Sequence, residues 1–142
     1  MIMNQIYDPL KLKVDWNYRT ILIVEDVRPN FKFLKTALEK TGAKIKHAET
    51  GKEAIEMCAE DHNIDLVLMD LHLPGISGLA ATREIKNIRK DVTVIAQTAF
   101  VLSGEKEECF KAGCDEYIAK PIRSSELIVK IRNCLIKNGK EA

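Results

Sequence analysis

Short runs of β-branched and aliphatic residues alternate with longer amphipathic segments through most of this chain, and four of the runs end on a polar residue. TILIV leads into Glu25-Asp26, IDLVLM into Asp70, VTVIAQ into Thr98, and EYIA into Lys120-Pro121. A run of this kind reads as a strand buried on both faces, which requires a parallel sheet with helices on either side. Ligands of open parallel sheets sit just beyond the carboxyl ends of the strands. The polar residues are therefore expected at one sheet edge despite their distance in sequence. Three carboxylates, a hydroxyl and an ammonium gathered there suit a metal ion and a phosphoryl group.

From Thr20 onward strand and helix alternate five times. Strand one, at 20–25, feeds a helix at about 29–41, where Pro29 suits the first turn and Gly42 lies past the end. AKIKHA at 43–48 is polar enough for an edge strand. Thr50 and Glu53 form a capping-box pattern for a helix that buries Ala54, Ile55 and Cys58. Strand three, 64–69, precedes a loop with Pro74 and Gly75 and a helix from Ser77 to Arg89, with Leu79, Thr82, Ile85 and Ile88 at helical spacing. Strand four is 92–97. Ser103 is predicted to cap a short helix stopped by Gly113, strand five is 115–119, and Ser124 or Ser125 opens a last helix carrying Leu127, Ile131 and Leu135. Five such units with short connections predict an α/β fold, a parallel sheet covered on both faces. Residues 1–19 lack a period and read as a leader or linker whose end Trp16 and Tyr18 pin to the domain at 20–138; residues 139–142 are a tail.

Composition removes several classes of function. At 142 residues and 46% hydrophobic content the chain is one domain's worth with a real core. Twenty-two Lys and Arg against 21 Asp and Glu leave a formal charge of +1 without long runs of either sign, so neither nucleic acid nor direct membrane contact is expected. The richest apolar region, 64–81, is broken by Asp65, Asp70, His72 and Pro74, short of the roughly 18 apolar residues a membrane span needs. The N-terminus has neither the basic start nor the apolar segment of a signal peptide. The four cysteines (Cys58, Cys109, Cys114, Cys134) form no CxxC pair and read as buried thiols in a reduced, cytoplasmic setting.

Asp70 is the candidate nucleophile, since a carboxylate can attack phosphorus to give an acyl phosphate. The obstacle is electrostatic. At about 5 Å and an effective dielectric of about 20, each like-charge pair between the anionic phosphoryl group and the carboxylates costs roughly 3 kcal/mol. A cation is needed, and Mg²⁺ fits because it takes hard oxygen ligands and bridges phosphate oxygens. Asp26 and Asp70 would bind it directly and Glu25 directly or through water, with Lys120 and Thr98 on phosphoryl oxygens. Each residue alone has a structural reading: helix-dipole partner, turn residue, strand-end hydroxyl, solvated lysine. Jointly, their placement at strand ends favours the site.

With these residues in view the chain resembles the receiver domain of two-component response regulators over about residues 20–137. The resemblance rests on ILIVED, LVLMDLHLPGISG, QTA and GCDEYIAKPI, in matching order and spacing. It implies a flavodoxin-like sheet in the order 2-1-3-4-5, and it implies that Asp70 accepts a phosphoryl group from a phosphohistidine on a histidine kinase or histidine phosphotransfer protein, with Mg²⁺ (Mn²⁺ able to substitute). By the same resemblance Glu25 and Asp26 are the acidic metal pair, and the His72 backbone carbonyl is a further ligand. Thr98 is then the switch hydroxyl, Tyr117 the aromatic switch residue, and Lys120 the phosphate-contacting lysine with a cis bond to Pro121. Phosphorylation would move Thr98 and Tyr117 and reshape the face made by the fourth helix, fifth strand and fifth helix, a surface also open to homodimerisation. His72 and Phe100 occupy positions that tune phosphoryl lifetime, and neither is acidic; the pair is expected to obstruct the hydrolytic water. For His72, a zinc-ligand reading lacks a partner at ligand spacing.

Two rivals come from other classes. A metal-dependent phosphatase of the haloacid-dehalogenase type also uses an Asp nucleophile after an apolar strand, but it places a second Asp where His72 stands and needs a cap this chain has no room for. A phosphorylation-independent binding module would not need the intact acidic pair, acceptor, hydroxyl and lysine. No effector domain follows the last helix, so a stand-alone regulator or a receiver cut from a larger protein is expected. The leader KLKVDWNYRT resembles the linker entering the C-terminal receiver of hybrid histidine kinases.

Overall fold

The computed structural model describes residues 14–99 and 104–139. In chain order these residues form β1 (Thr20–Val24), α1 (Arg28–Glu39), β2 (Lys44–Ala48), α2 (Gly51–Glu60), β3 (Ile64–Asp70), α3 (Gly78–Ile88), β4 (Thr93–Thr98), α4 (Glu105–Ala112), β5 (Glu116–Ala119) and α5 (Ser124–Lys137). The five strands are parallel and lie in the order β2-β1-β3-β4-β5. This is the covered parallel sheet expected from the alternation, in the flavodoxin-like order that the family resemblance implies. The central strands are apolar on both sides because both sides are covered. Leu22, Val24, Val67, Met69, Val94 and Ala96 face Ala54, Cys58, Ala81, Ile85 and Cys109 from α2, α3 and α4. The alternate residues Ile21, Ile23, Leu66, Leu68 and Ile95 pack with Leu34, Leu38, Leu127 and Ile131 of α1 and α5. The more polar β2 is an edge strand, half exposed along most of its length.

Local signals are honoured in part. Pro29 lies in the first turn of α1, and Gly42 past its end adopts φ +88°. The Thr50 side chain accepts from Glu53 N at 3.0 Å, but the return bond from Glu53 goes to Glu49 N rather than to Thr50 N. Trp16, 2% exposed, packs into the α1–α5 core, and its N–H donates to the Thr41 carbonyl. Tyr18 does not share that role. It sits on the turn closed by Arg19 N to Trp16 O and is 93% exposed.

Two helix details depart from the sequence expectation. The N-cap of α4 is Gly104, in the left-handed region, and Ser103 lies outside the described residues. Ser124 opens α5 as expected, and Arg123 before it makes no side-chain cap bond. Ile88 is exposed, whereas Ala81, Thr82 and Ile85 are buried. The next residue, Arg89, points inward, is 4% exposed, and donates to the carbonyls of Cys58, Asp61, His62 and Ile64. All four cysteines are free and buried. Burial pushes the thiols of Cys58 and Cys134 up to about 11. No helix among the described residues is long and apolar enough to cross a membrane.

Candidate functional site

β1, β3 and the β5–α5 connection bring four charged side chains to one edge of the sheet. Glu25 directly follows β1 and is completely buried; its N–H donates to the Ala48 carbonyl of β2 at 3.0 Å. Asp26 is exposed beside it. Asp70 closes β3 and is 2% exposed. Carboxylate oxygens of Glu25, Asp26 and Asp70 all lie within 4.8 Å of one another. Lys120 Nζ stands 3.3 Å from Asp70 Oδ2 and 3.6 Å from Glu25 Oε1. The register of the sheet supplies this convergence. Thr98 at the end of β4 pairs with Ala119, and its carbonyl accepts from Lys120 N at 2.8 Å, so the lysine emerges where the carboxylates end. Lys120-Pro121 is a cis peptide bond. Thr98 itself is buried at the same edge.

Charge in this cluster is unbalanced, with three carboxylates against one ammonium. Burial, and next the charge of Asp70, hold the Glu25 carboxyl above the usual carboxylate range, against the opposing pull of the Val27 N–H and Lys120. Glu25 Oε2 accepts from Val27 N, whereas Oε1 is buried with no hydrogen-bond partner. A buried anionic oxygen left without a donor, in a set made wholly of hard oxygens, is the environment a divalent cation satisfies. The residues present therefore fit a divalent metal.

The two oxygens of Asp70 are distinguished. Oδ1 accepts from the His72 main-chain N–H at 2.9 Å, and Oδ2 faces Lys120. The His72 ring leaves the cluster and pairs with Glu105 Oε2 at 3.1 Å. Tyr117 lies half-buried on β5, its ring 5.2 Å from both Lys106 Nζ and Lys130 Nζ and edge-on to Phe110. Phe100 lies outside the described residues.

Sequence reasoning missed two residues that shape this edge. Gly78 opens α3 so close to the end of β3 that an added Cβ would sit 2.2 Å from the Asp70 carbonyl oxygen. The glycine closing the PGISG stretch was the available signal. Glu105 had none, because its partner His72 is 33 positions away and on another element.

Comparison with known proteins agrees with this geometry. Residues 21–132 match the family model described as the response regulator receiver domain. The polar-differentiation response regulator DivK of Brucella ovis is 36% identical over 119 residues, covering 82% of this chain and 96% of DivK. The receiver domain of the sensor histidine kinase PA1611 from Pseudomonas aeruginosa, solved with a magnesium ion coordinated in its active site cleft, superposes with a TM-score of 0.75 at 33% identity, covering 85% of this chain and 98% of that one. A chain from the co-crystal of the Saccharomyces cerevisiae histidine phosphotransfer protein Ypd1 with the receiver domain of Ssk1 gives a TM-score of 0.79 at 29% identity, with 89% and 94% covered. The chain belongs to the response regulator receiver domain family. It is a receiver of two-component signalling, with its acidic cluster where the family's phosphoacceptor site is expected. These matches lend the haloacid-dehalogenase alternative no support.

Proposed function

We propose that Asp70 is the phosphoacceptor of this receiver and takes its phosphoryl group from a phosphohistidine on a histidine kinase or histidine phosphotransfer protein. The observation that carries the reading is the Asp70 carboxylate, buried among two further carboxylates within 4.8 Å and paired with Lys120 at 3.3 Å. With Oδ1 engaged by the His72 N–H, Oδ2 is the attacking oxygen. It bonds to phosphorus as the phosphorus–nitrogen bond of the donor breaks, and the electron pair leaves with the imidazole nitrogen. Lys120, already beside Oδ2, takes up charge on one phosphoryl oxygen, and the Thr98 hydroxyl donates to another. Glu25, Asp26, Asp70 and the His72 carbonyl would hold Mg²⁺, or Mn²⁺ in its place. That ion offsets the negative charge of carboxylates and phosphoryl group together.

The added charge then draws Thr98 inward and lets Tyr117 follow, altering the face of α4, β5 and α5 for a protein partner or a second copy of the receiver. The half-buried Tyr117 between Lys106 and Lys130 supports that role. We further place the domain at residues 20–138, in the cytoplasm, either as a separate regulator or as the receiver of a hybrid histidine kinase. The PA1611 relative, itself part of a sensor kinase, supports the latter. Intact mass after incubation with acetyl phosphate and Mg²⁺ tests the acceptor. Wild type gains one phosphoryl group, and Asp70→Asn or chelated wild type gains none. No gain on wild type, or equal gain on Asp70→Asn, overturns the reading.

A further inference from the structure

We infer that the cavity reached by Gln97 binds a small neutral heterocycle whose ring carries an N–H and a C=O side by side, the amide edge of a lactam or of an oxo-substituted nucleobase. Gln97 lies near the end of β4 and is 1% exposed. Neither its Nε2 nor its Oε1 has a hydrogen-bond partner among the described residues. Buried side-chain amides are ordinarily paired, because each unmet atom has given up water for nothing in return. Here both atoms are unmet, and the same side chain lines a cavity of about 550 Å³ between α1 and the β5–α5 connection. Alternate strand residues face opposite sides of a sheet, so Gln97 points toward α1 and α5 with Ile95, away from the side that Thr98 faces.

The lining sets the chemistry of the occupant. Phe33 and Leu34 of α1 and Pro121 and Ile122 of the connection supply apolar walls, and Phe33 is 47% exposed, so part of its ring is open to a flat ligand. Glu25 and Lys120 also border the cavity, as an ion pair at 3.6 Å, and neither sign of charge is therefore favoured in an occupant. Small-molecule sites are of this kind: mostly apolar, with a few polar atoms that fix orientation. A carboxamide presents its C=O and one N–H along a single edge. An acyclic secondary amide is trans and cannot turn both of its groups to one side. Ring closure holds them cis, so a ring amide offers the complementary edge and forms two parallel hydrogen bonds with Gln97. An ester or ketone of the same size would meet only the nitrogen.

The test titrates the full chain with 2-pyridone, a single ring bearing this edge, and with N-methyl-2-pyridone, which keeps the ring and carbonyl but has no N–H. Nitrogen–proton correlation spectra follow the Gln97 side-chain NH₂ group and the backbone amides of Phe33 and Ile122 in wild type, and the same backbone amides in Gln97→Leu. A ligand this small should saturate at about millimolar concentration and shift all three sets of wild-type signals together. N-methyl-2-pyridone should bind wild type about tenfold more weakly or worse, and so should 2-pyridone bind Gln97→Leu. Leucine is close to glutamine in size and brings no polar atoms, so thermal unfolding of the ligand-free variant shows whether solvent already pairs the amide. A midpoint at or above that of wild type is expected, because two unmet polar atoms are removed. A clear drop would mean that ordered water satisfies Gln97, and the proposal falls. Equal affinity for the two pyridones, equal affinity of wild type and Gln97→Leu, or no saturable shift of the Gln97 NH₂ group also overturns it. Phosphoryl loading plays no part in these measurements, so they stand or fall apart from the reading of Asp70.

Discussion

Replacing Asp70 by asparagine should stabilise the metal-free protein, although the substitution removes a buried ion pair. Oxygens of Glu25 and Asp70 lie within 4.8 Å, and two unit charges at that separation repel by about 3.5 kcal/mol in an effective dielectric of about 20. Against this stands Lys120 Nζ at 3.3 Å from Asp70, an attraction of about 5 kcal/mol on the same scale. The lysine side chain is 26% exposed, however, so solvent screening removes a large share of that attraction. After the substitution the ammonium still has Glu25 at 3.6 Å, and the asparagine oxygen can still accept from the His72 N–H. Asp26 adds to the repulsion from the surface. Relief therefore exceeds loss by about 1–2 kcal/mol, which corresponds to a rise of about 3–8 °C in the unfolding midpoint.

Thermal unfolding followed by circular dichroism in excess chelator near neutral pH reads this directly, and two further arms test its cause. The folded-state pKa of Glu25 is raised above the ordinary 4.5, so the wild-type fold is favoured below that value and loses stability as pH rises through the raised one. The advantage of Asp70→Asn should consequently shrink as the pH falls and Glu25 takes its proton. Added Mg²⁺ should raise wild type more than the variant, because a dication gains more from three carboxylates than from two. If the variant unfolds at or below the wild-type temperature in chelator, carboxylate repulsion is not the dominant charge effect at this edge.

Three other substitutions probe how the site is supported. Gly78→Ala drives a Cβ to 2.2 Å from the Asp70 carbonyl oxygen, and should cost at least about 2 kcal/mol in urea unfolding while also reducing phosphoryl loading; wild-type behaviour in both would show that the contact yields freely. Arg89→Leu leaves the carbonyls of Cys58, Asp61, His62 and Ile64 without their shared donor and should cost about 3–5 kcal/mol, measured the same way, with loading of the folded fraction unchanged. Trp16→Ala should cost about 3–5 kcal/mol despite lying before the first strand, and a loss under about 1 kcal/mol would mean the ring is dispensable to the core.

Much of this protein could be read from the order of its residues. A strand buried on both sides must be apolar at every position, so TILIV, IDLVLM and VTVIAQ announced covered parallel strands, and the residues ending them announced the functional edge. Chain connectivity alone then brought Glu25, Asp26, Asp70, Thr98 and Lys120 toward one another. Contacts between side chains on different elements could not be read this way. Nothing in the spacing links His72 to Glu105, sends Arg89 rather than Ile88 into the core, or closes α3 onto the Asp70 carbonyl. Those features depend on strand register, such as Thr98 opposite Ala119, and on how each helix is rotated as it crosses the sheet. Burial is a property of one residue against water and leaves a pattern along the chain. A contact is a property of two residues whose distance is set only when the whole sheet has formed, and that is why the acidic edge was visible beforehand and its supports were not.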